Sequence, residues 1–376
     1  MNYLKNSKQL TIALSTGLAL FAMFFGAGNM IFPLQLGVQS GQHIGIAIVA
    51  FIITGVGFPF LGLFAVSLYE GDYWKFFDVL GKPLAFLVIT FLISIICFAV
   101  AGPRTELVVY DTLTENFPTM LAYPRLFSVL YFSIVFLIVF RPSHLVDIIG
   151  WFLSPVKIAT FVILIATSIH FGSPLLSLPH ATMDVFKNGI VTGYGTMDLL
   201  ASIFFCTVAY KNIVGKCRED NYASHHVARV TIFACCISAV LIAMIYAGLI
   251  LSSGFHAAAL AHTPTSAMVG KIASLVMGEY GYIFVTICVS FACIATASAL
   301  AEVGSDFLFH TIFRQKIPKL VCLIGTLICM YAASRFGFDR IMAFAIPILT
   351  VLYPALIALC VINIARKMKK RAAQHQ

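Results

Sequence analysis

Apolar residues run along this chain in long blocks separated by short polar clusters. A window of about 20 residues, enough to cross a bilayer as a helix, finds ten blocks. They lie near 10–34, 43–69, 84–110, 124–140, 147–170, 187–210, 228–252, 280–309, 319–334 and 339–363. The blocks lack the apolar–polar alternation of barrel strands, so the predicted fold is all-α and membrane-embedded. The less apolar stretch 255–278 is predicted to hold a short helix on the surface.

Two blocks are interrupted where a membrane helix would carry Leu, Ile and Val. The first reads Phe24-Phe25-Gly26-Ala27-Gly28-Asn29-Met30-Ile31-Phe32-Pro33. Gly weakens a helix, Pro removes a donor, and Asn in hydrocarbon needs a partner. The sixth opens with Asn188-Gly189-Ile190-Val191-Thr192-Gly193-Tyr194-Gly195-Thr196-Met197-Asp198. One reading is a kinked helix with small residues at a close contact. The other is a broken helix whose bare amides and carbonyls line a binding site. The breaks fall five spans apart in a chain of ten. Two five-helix halves, each opening with a break and opposite in topology, favour the transporter reading.

Composition agrees: 60% of the 376 residues are hydrophobic and 10% charged, against roughly 25% charged in soluble domains. The net charge of +9 lies between the blocks and at the tail, so it points to membrane topology and not to nucleic acid. Of the basic residues in alternate loops, 17 from Lys5 to Arg371 fall on one side, Arg141 among them. Five fall on the other: Arg125, Lys187, Lys271, Arg335 and Arg340. Both termini are therefore expected in the cytoplasm. Lys5 and Lys8 precede an apolar run too long for a signal peptide, which reads as a retained first span. The cysteines sit mostly inside apolar blocks as small core residues, and no metal-type pairing is read.

Few polar residues remain as candidates. Arg104 and Glu106, in Pro103-Arg104-Thr105, end the third block and are expected at the interface as a snorkelling side chain or an ion pair. Lys157 follows Pro155 inside the fifth block; it is either functional or snorkels to the inner surface. Asp198 has no evident partner. In Ala292–Ala299 of the eighth block, Thr296 reads as close packing or as an oxygen ligand for a cation. Glu302 and Asp306 read as a gate or an interface pair. A passive pore would need a polar lining or charge ring, and an enzyme a clustered nucleophile and base or metal ligands; neither pattern is present.

These motifs resemble the bacterial branched-chain amino-acid carriers of the LIV-II (BrnQ-like) type, in the amino-acid–polyamine–organocation superfamily. The resemblance rests on FFGAGNMIFP at 24–33, GVGFPFLG at 55–62, PRT at 103–105, GYGTMD at 193–198 and the small-residue run at 292–301. It implies a LeuT-type five-plus-five inverted repeat with broken first and sixth helices, and sodium-coupled import of Leu, Ile and Val across the bacterial inner membrane. The single transport domain, 1–376, would comprise repeats at 10–170 and 187–363 and a basic cytoplasmic tail at 364–376. The implied partners are an amino acid, a coupling cation and the bilayer, with sodium or a proton as the only cofactor.

The resemblance also implies residue roles. Backbone at Ala27 and Gly28 would hold the substrate carboxylate, and carbonyls of the second break, at Gly193, Tyr194, Gly195 and Thr196, its ammonium. Asn29 stands where symporters of neurotransmitters use a sodium-binding Asn. A second sodium would sit on the carbonyls of Ala22 and Phe25 with Thr296. This chain departs from the pattern in three ways. One eighth-span hydroxyl is replaced, giving Ala292-x-x-Ala295-Thr296. Lys157 stands where members are usually apolar; in some proton-coupled relatives a fifth-span Lys stands in for sodium. Members usually carry two spans beyond the ten read here. Asp198 and Lys157 therefore join the ion-coupling candidates, with a proton-coupled or exchange-type carrier of apolar amino acids, Met included, as the alternative.

Overall fold

The computed structural model describes residues 7–115, 117, 119, 122–140, 154–179, 181–219 and 224–374. Among them the chain is helical throughout, with no strand. Six helical stretches are long and apolar enough to cross a membrane, and four shorter apolar helices accompany them. Arg141 and the first residues of the expected fifth span, 147–153, lie outside the described residues, as does Lys5.

The first span is two helices, α1 (Ser7–Phe24) and α2 (Ala27–Ser40), separated by Phe25 and Gly26. α3 (Ile44–Ile52) passes through a wide π turn at Ile53–Gly57 into α4 (Phe58–Ser67). A short α5 (Tyr73–Phe77) leads to α6 (Lys82–Ile93), a second π turn at Ser94–Ala99, and α7 (Ala101–Thr114). α8 (Pro124–Val139) and α9 (Ser154–His170) complete the first half.

The sixth span is again two helices, α10 (Thr182–Tyr194) and α11 (Asp198–Glu219). Gly195, Thr196 and Met197 separate them, Met197 at φ 66°, a left-handed conformation that ends a helix. α12 (Ser224–Phe255) and α13 (Ala257–Leu260) follow. α14 (Met268–Phe307) is bent at Gly278, whose φ is 67°. α15 (Lys319–Ser334) and α16 (Phe338–Gln374) close the bundle. At about 1.5 Å per residue α16 outruns the roughly 30 Å hydrocarbon core. The basic stretch beginning at 364 is thus a continuation of its helix as far as Gln374.

Large apolar side chains such as Leu87, Leu137, Met244 and Val351 are exposed on the outside of the bundle, as lipid-facing residues must be. The core gathers around α2, whose residues from Ala27 to Leu34 are all buried and which packs against α12, α14 and α7. The stretch before Gly278 departs from the surface placement expected for 255–278. Val269, Ile272 and Ala273 are buried, because Gly270 lets this segment press against Thr112 of α7 and Tyr282 of its own helix. Among the described cysteines Cys97, Cys206, Cys235, Cys288, Cys293, Cys322 and Cys360 are buried, Cys236 and Cys329 exposed.

α2 lies against α12 closely enough that a Cβ on Gly37 would overlap the Ile250 carbonyl and Ser253 Oγ. Backbone cannot yield as a flexible side chain can. Gly37→Ala is expected to cost about 1–3 kcal/mol of stability through overpacking, read as a lower thermal midpoint of the purified protein in detergent.

Candidate functional site

The breaks arise where residues cannot complete the helical ladder. At the first, Gly26 is extended (φ −119°, ψ −155°). Its amide bonds to Phe24 O at 2.7 Å and to Asn29 Oδ1 at 3.3 Å, so Asn29, in the first turn of α2, reaches back to cap that turn. A Cβ at position 26 would overlap Thr296 Oγ1, and that hydroxyl donates to Met23 O at 2.9 Å. Pro33 sits one turn further on and donates nothing to the carbonyl of Asn29.

Lys157 does not snorkel. Its side chain is fully buried, and its ammonium donates to Ala22 O at 2.9 Å and Phe25 O at 3.3 Å. These carbonyls form the negative end of α1. Phe161, one turn on along α9, packs edge-on to Phe25 at 4.9 Å and fixes α9 against the break.

The second break is closed in the same manner by a residue expected elsewhere. The sequence leads one to expect Arg104 at the interface, yet it is 3% exposed. Nη1 donates to Gly195 O at 2.7 Å and Nη2 to Thr196 O at 3.2 Å, while the guanidinium carbon lies 5.3 Å from the Phe32 ring centroid. The helix through Arg104 runs on to Thr114, with Leu107, Val108 and Val109 buried, so this position is deep in the bundle. Glu106 is likewise interior. It accepts from Ser128 Oγ at 2.7 Å and lies 3.7 Å from Arg335, so the ion-pair half of its expectation stands without the interfacial location.

Asp198, the first residue of α11, joins the halves. Its Oδ2 accepts from Asn29 Nδ2 at 2.6 Å and from the Tyr246 hydroxyl at 2.6 Å. Asn29 Nδ2 also donates to the Tyr246 oxygen. A cavity of about 20 Å³ lies where the breaks meet, lined by Ala27, Gly28, Asn29, Arg104, Thr196 and Asp198 at its polar end. Its apolar wall includes Met23, Phe24, Ile96, Phe205 and Leu300. This volume is about that of one water, so the site is closed down in this conformation.

Of the residues singled out from sequence, Ala27, Gly28, Asn29, Thr196, Asp198 and Thr296 share this cavity. Ala22, Phe25 and Lys157 meet beside it. Gly193, Tyr194 and Gly195 are not among the residues that line it. A Cβ on Gly193 would overlap Thr54 Oγ1, Gly195 is seated against Phe32, and Tyr194 lies ring to ring with Tyr353 at 4.3 Å. Lys319 bridges Glu302 and Asp306 at 2.7 Å each, which makes them an ion-paired cluster between α14 and α15. Sequence reasoning missed Arg104 and Tyr246 as site residues. The PRT triplet was the visible signal for Arg104; a tyrosine in an apolar run gave none for Tyr246.

The branched-chain amino acid transport protein family matches residues 9–376. The chain is 31% identical over 382 residues to branched-chain amino acid permease BraB of Bacillus subtilis, covering 98% of this chain and 83% of that protein. It is 30% identical over 375 residues to permease BrnQ of Salmonella typhimurium, covering 94% and 80%. In three dimensions it is similar to MhsT, solved in complex with L-phenylalanine, with a TM-score of 0.63 at 17% identity over 92% of this chain and 88% of that one. The fold is thus the LeuT type, with the first and sixth helices broken, and the relatives are transporters rather than enzymes. This multi-pass membrane chain belongs to the family of branched-chain amino acid transport proteins.

Proposed function

We propose that this chain is a secondary active carrier that imports Leu, Ile and Val across a bacterial inner membrane, both termini cytoplasmic, and couples uptake to protons through Lys157. The basic-residue asymmetry between alternate loops supports the orientation. The observation that carries the coupling is the ammonium of Lys157 seated on Ala22 O and Phe25 O.

Sodium was the first expectation for those two carbonyls, and the donor set fits it poorly. A hard cation wants several oxygens. Here Ala295 removes one hydroxyl, and the Lys157 ammonium stands on the carbonyl pair. A buried lysine readily changes its protonation state. In the charged form it ties α9 to the end of α1; on losing its proton it releases one donor and the charge, and the helix can tilt away.

Leucine uptake into proteoliposomes under imposed gradients tests this. Accumulation is expected to follow an inward proton gradient and to persist without sodium. A strict sodium requirement would discard the lysine reading in favour of sodium symport. An apolar pocket separates one methylene by only about 1–3 kcal/mol, so isoleucine, valine and methionine are expected to compete with leucine.

A further inference from the structure

We propose that Arg104 and Asp198 recognise the two charges of the substrate, the guanidinium taking the α-carboxylate and the Asp198 carboxylate the α-ammonium. The proposal rests on the carrier reading above and replaces recognition by backbone alone with a pair of opposite buried charges.

The first argument is what Arg104 leaves unsatisfied. A guanidinium carries five N–H donors in a flat fork. Two go to Gly195 O and Thr196 O, and Nη1 has a weak contact with Met342 Sδ at 3.8 Å. Nε is buried with no partner. A buried donor without an acceptor is costly, and a carboxylate presents two parallel acceptors that match one edge of the fork.

The second argument is place. Gly28 lies so close under Nη2 that any Cβ there would overlap it. The fork therefore lies over the first turn of α2, where bare amides already favour an anion. A carboxylate bound there would meet amides on one side and the guanidinium on the other.

The third argument concerns the ammonium. The carbonyls of the second break at Gly195 and Thr196 already accept from Arg104. The carboxylate on the same cavity is Asp198. Asn29 and Tyr246 both use its Oδ2, Thr196 also bonds to the carboxylate, and a carboxylate has about four acceptor positions to offer. Tyr246 and Asn29 hold it in place. With both charges seated, the branched side chain would face Ile96, Phe205 and Leu300.

The test uses leucine and two truncated analogues: 4-methylpentanoate, which lacks the amine, and 3-methylbutylamine, which lacks the carboxylate. Binding is read by ligand-induced thermal shift of the full-length protein in detergent, with competition against radiolabelled leucine uptake in proteoliposomes. In the wild type each analogue is expected to bind at least about a hundredfold more weakly than leucine, since each leaves a built polar partner unpaired. In Arg104→Gln, leucine and 3-methylbutylamine should converge; in Asp198→Asn, leucine and 4-methylpentanoate should. Arg104→Lys keeps the charge but loses the fork, so it should narrow the gap between leucine and the amine by a smaller factor while keeping part of leucine binding. An unchanged leucine-to-amine ratio in Arg104→Gln, or in Arg104→Lys where the former does not fold, would overturn the proposal. Failure of the wild type to bind any branched-chain amino acid would overturn the carrier reading, and this proposal with it.

Discussion

Lys157→Ala is expected to abolish concentrative leucine uptake while leaving leucine binding in place. The ammonium donates to two carbonyls at the end of α1. Hydrogen bonds from a charged group are worth about 1.5–3 kcal/mol each, and the acceptors left behind in a dry interior add to the loss. A shift of about 3 kcal/mol between two conformations changes their ratio roughly 150-fold. The substituted carrier should therefore rest in one arrangement and lose its response to protons. The measurement is accumulation under an inward proton gradient, beside counterflow of labelled leucine with no gradient. Wild-type accumulation in Lys157→Ala would remove this residue from coupling; lost accumulation with surviving counterflow would separate coupling from substrate binding.

Asn29→Ala should bring leucine uptake to background in a protein that still inserts. Asn29 makes three connections at once. Its Oδ1 caps the Gly26 amide, and its Nδ2 reaches Asp198 and Tyr246. The alanine variant leaves the cap empty and deprives a buried carboxylate of one donor, each a loss on the order of 1–3 kcal/mol. These losses fall where the two halves touch, so the geometry of both breaks should change together. Radiolabelled uptake normalised to membrane-inserted protein is the readout, and undiminished uptake would place Asn29 outside the working site. Asn29→Asp is expected to be at least as damaging, because it sets a second carboxylate against Asp198.

The breaks were legible because glycine, proline and asparagine are conspicuous in apolar blocks, and their chemical meaning is local. Residues 25–26 and 195–197 separate helices, as the sequence implied. What joins the breaks was not legible, because it spans long distances along the chain: Asn29 to Tyr246, Lys157 to Ala22, Arg104 to Gly195. Arg104 misled for a specific reason. Hydropathy ended the third span near residue 110, which put position 104 close to an interface. The helix continues through Asp111 to Thr114, and the polar residues that seemed to mark its exit are packed inside. The bend of α14 at Gly278 hid similarly, since a glycine between two apolar runs looks the same in a loop as in a kink.

Each interrupted helix finishes on a basic side chain lent by a neighbour, Lys157 for α1 and Arg104 for α10. The carbonyls at both ends thus have donors from within the chain, and neither end needs a bound solute to satisfy them. If the coupling proposed above holds, the empty carrier would return by itself and could fill a cell that has nothing to trade.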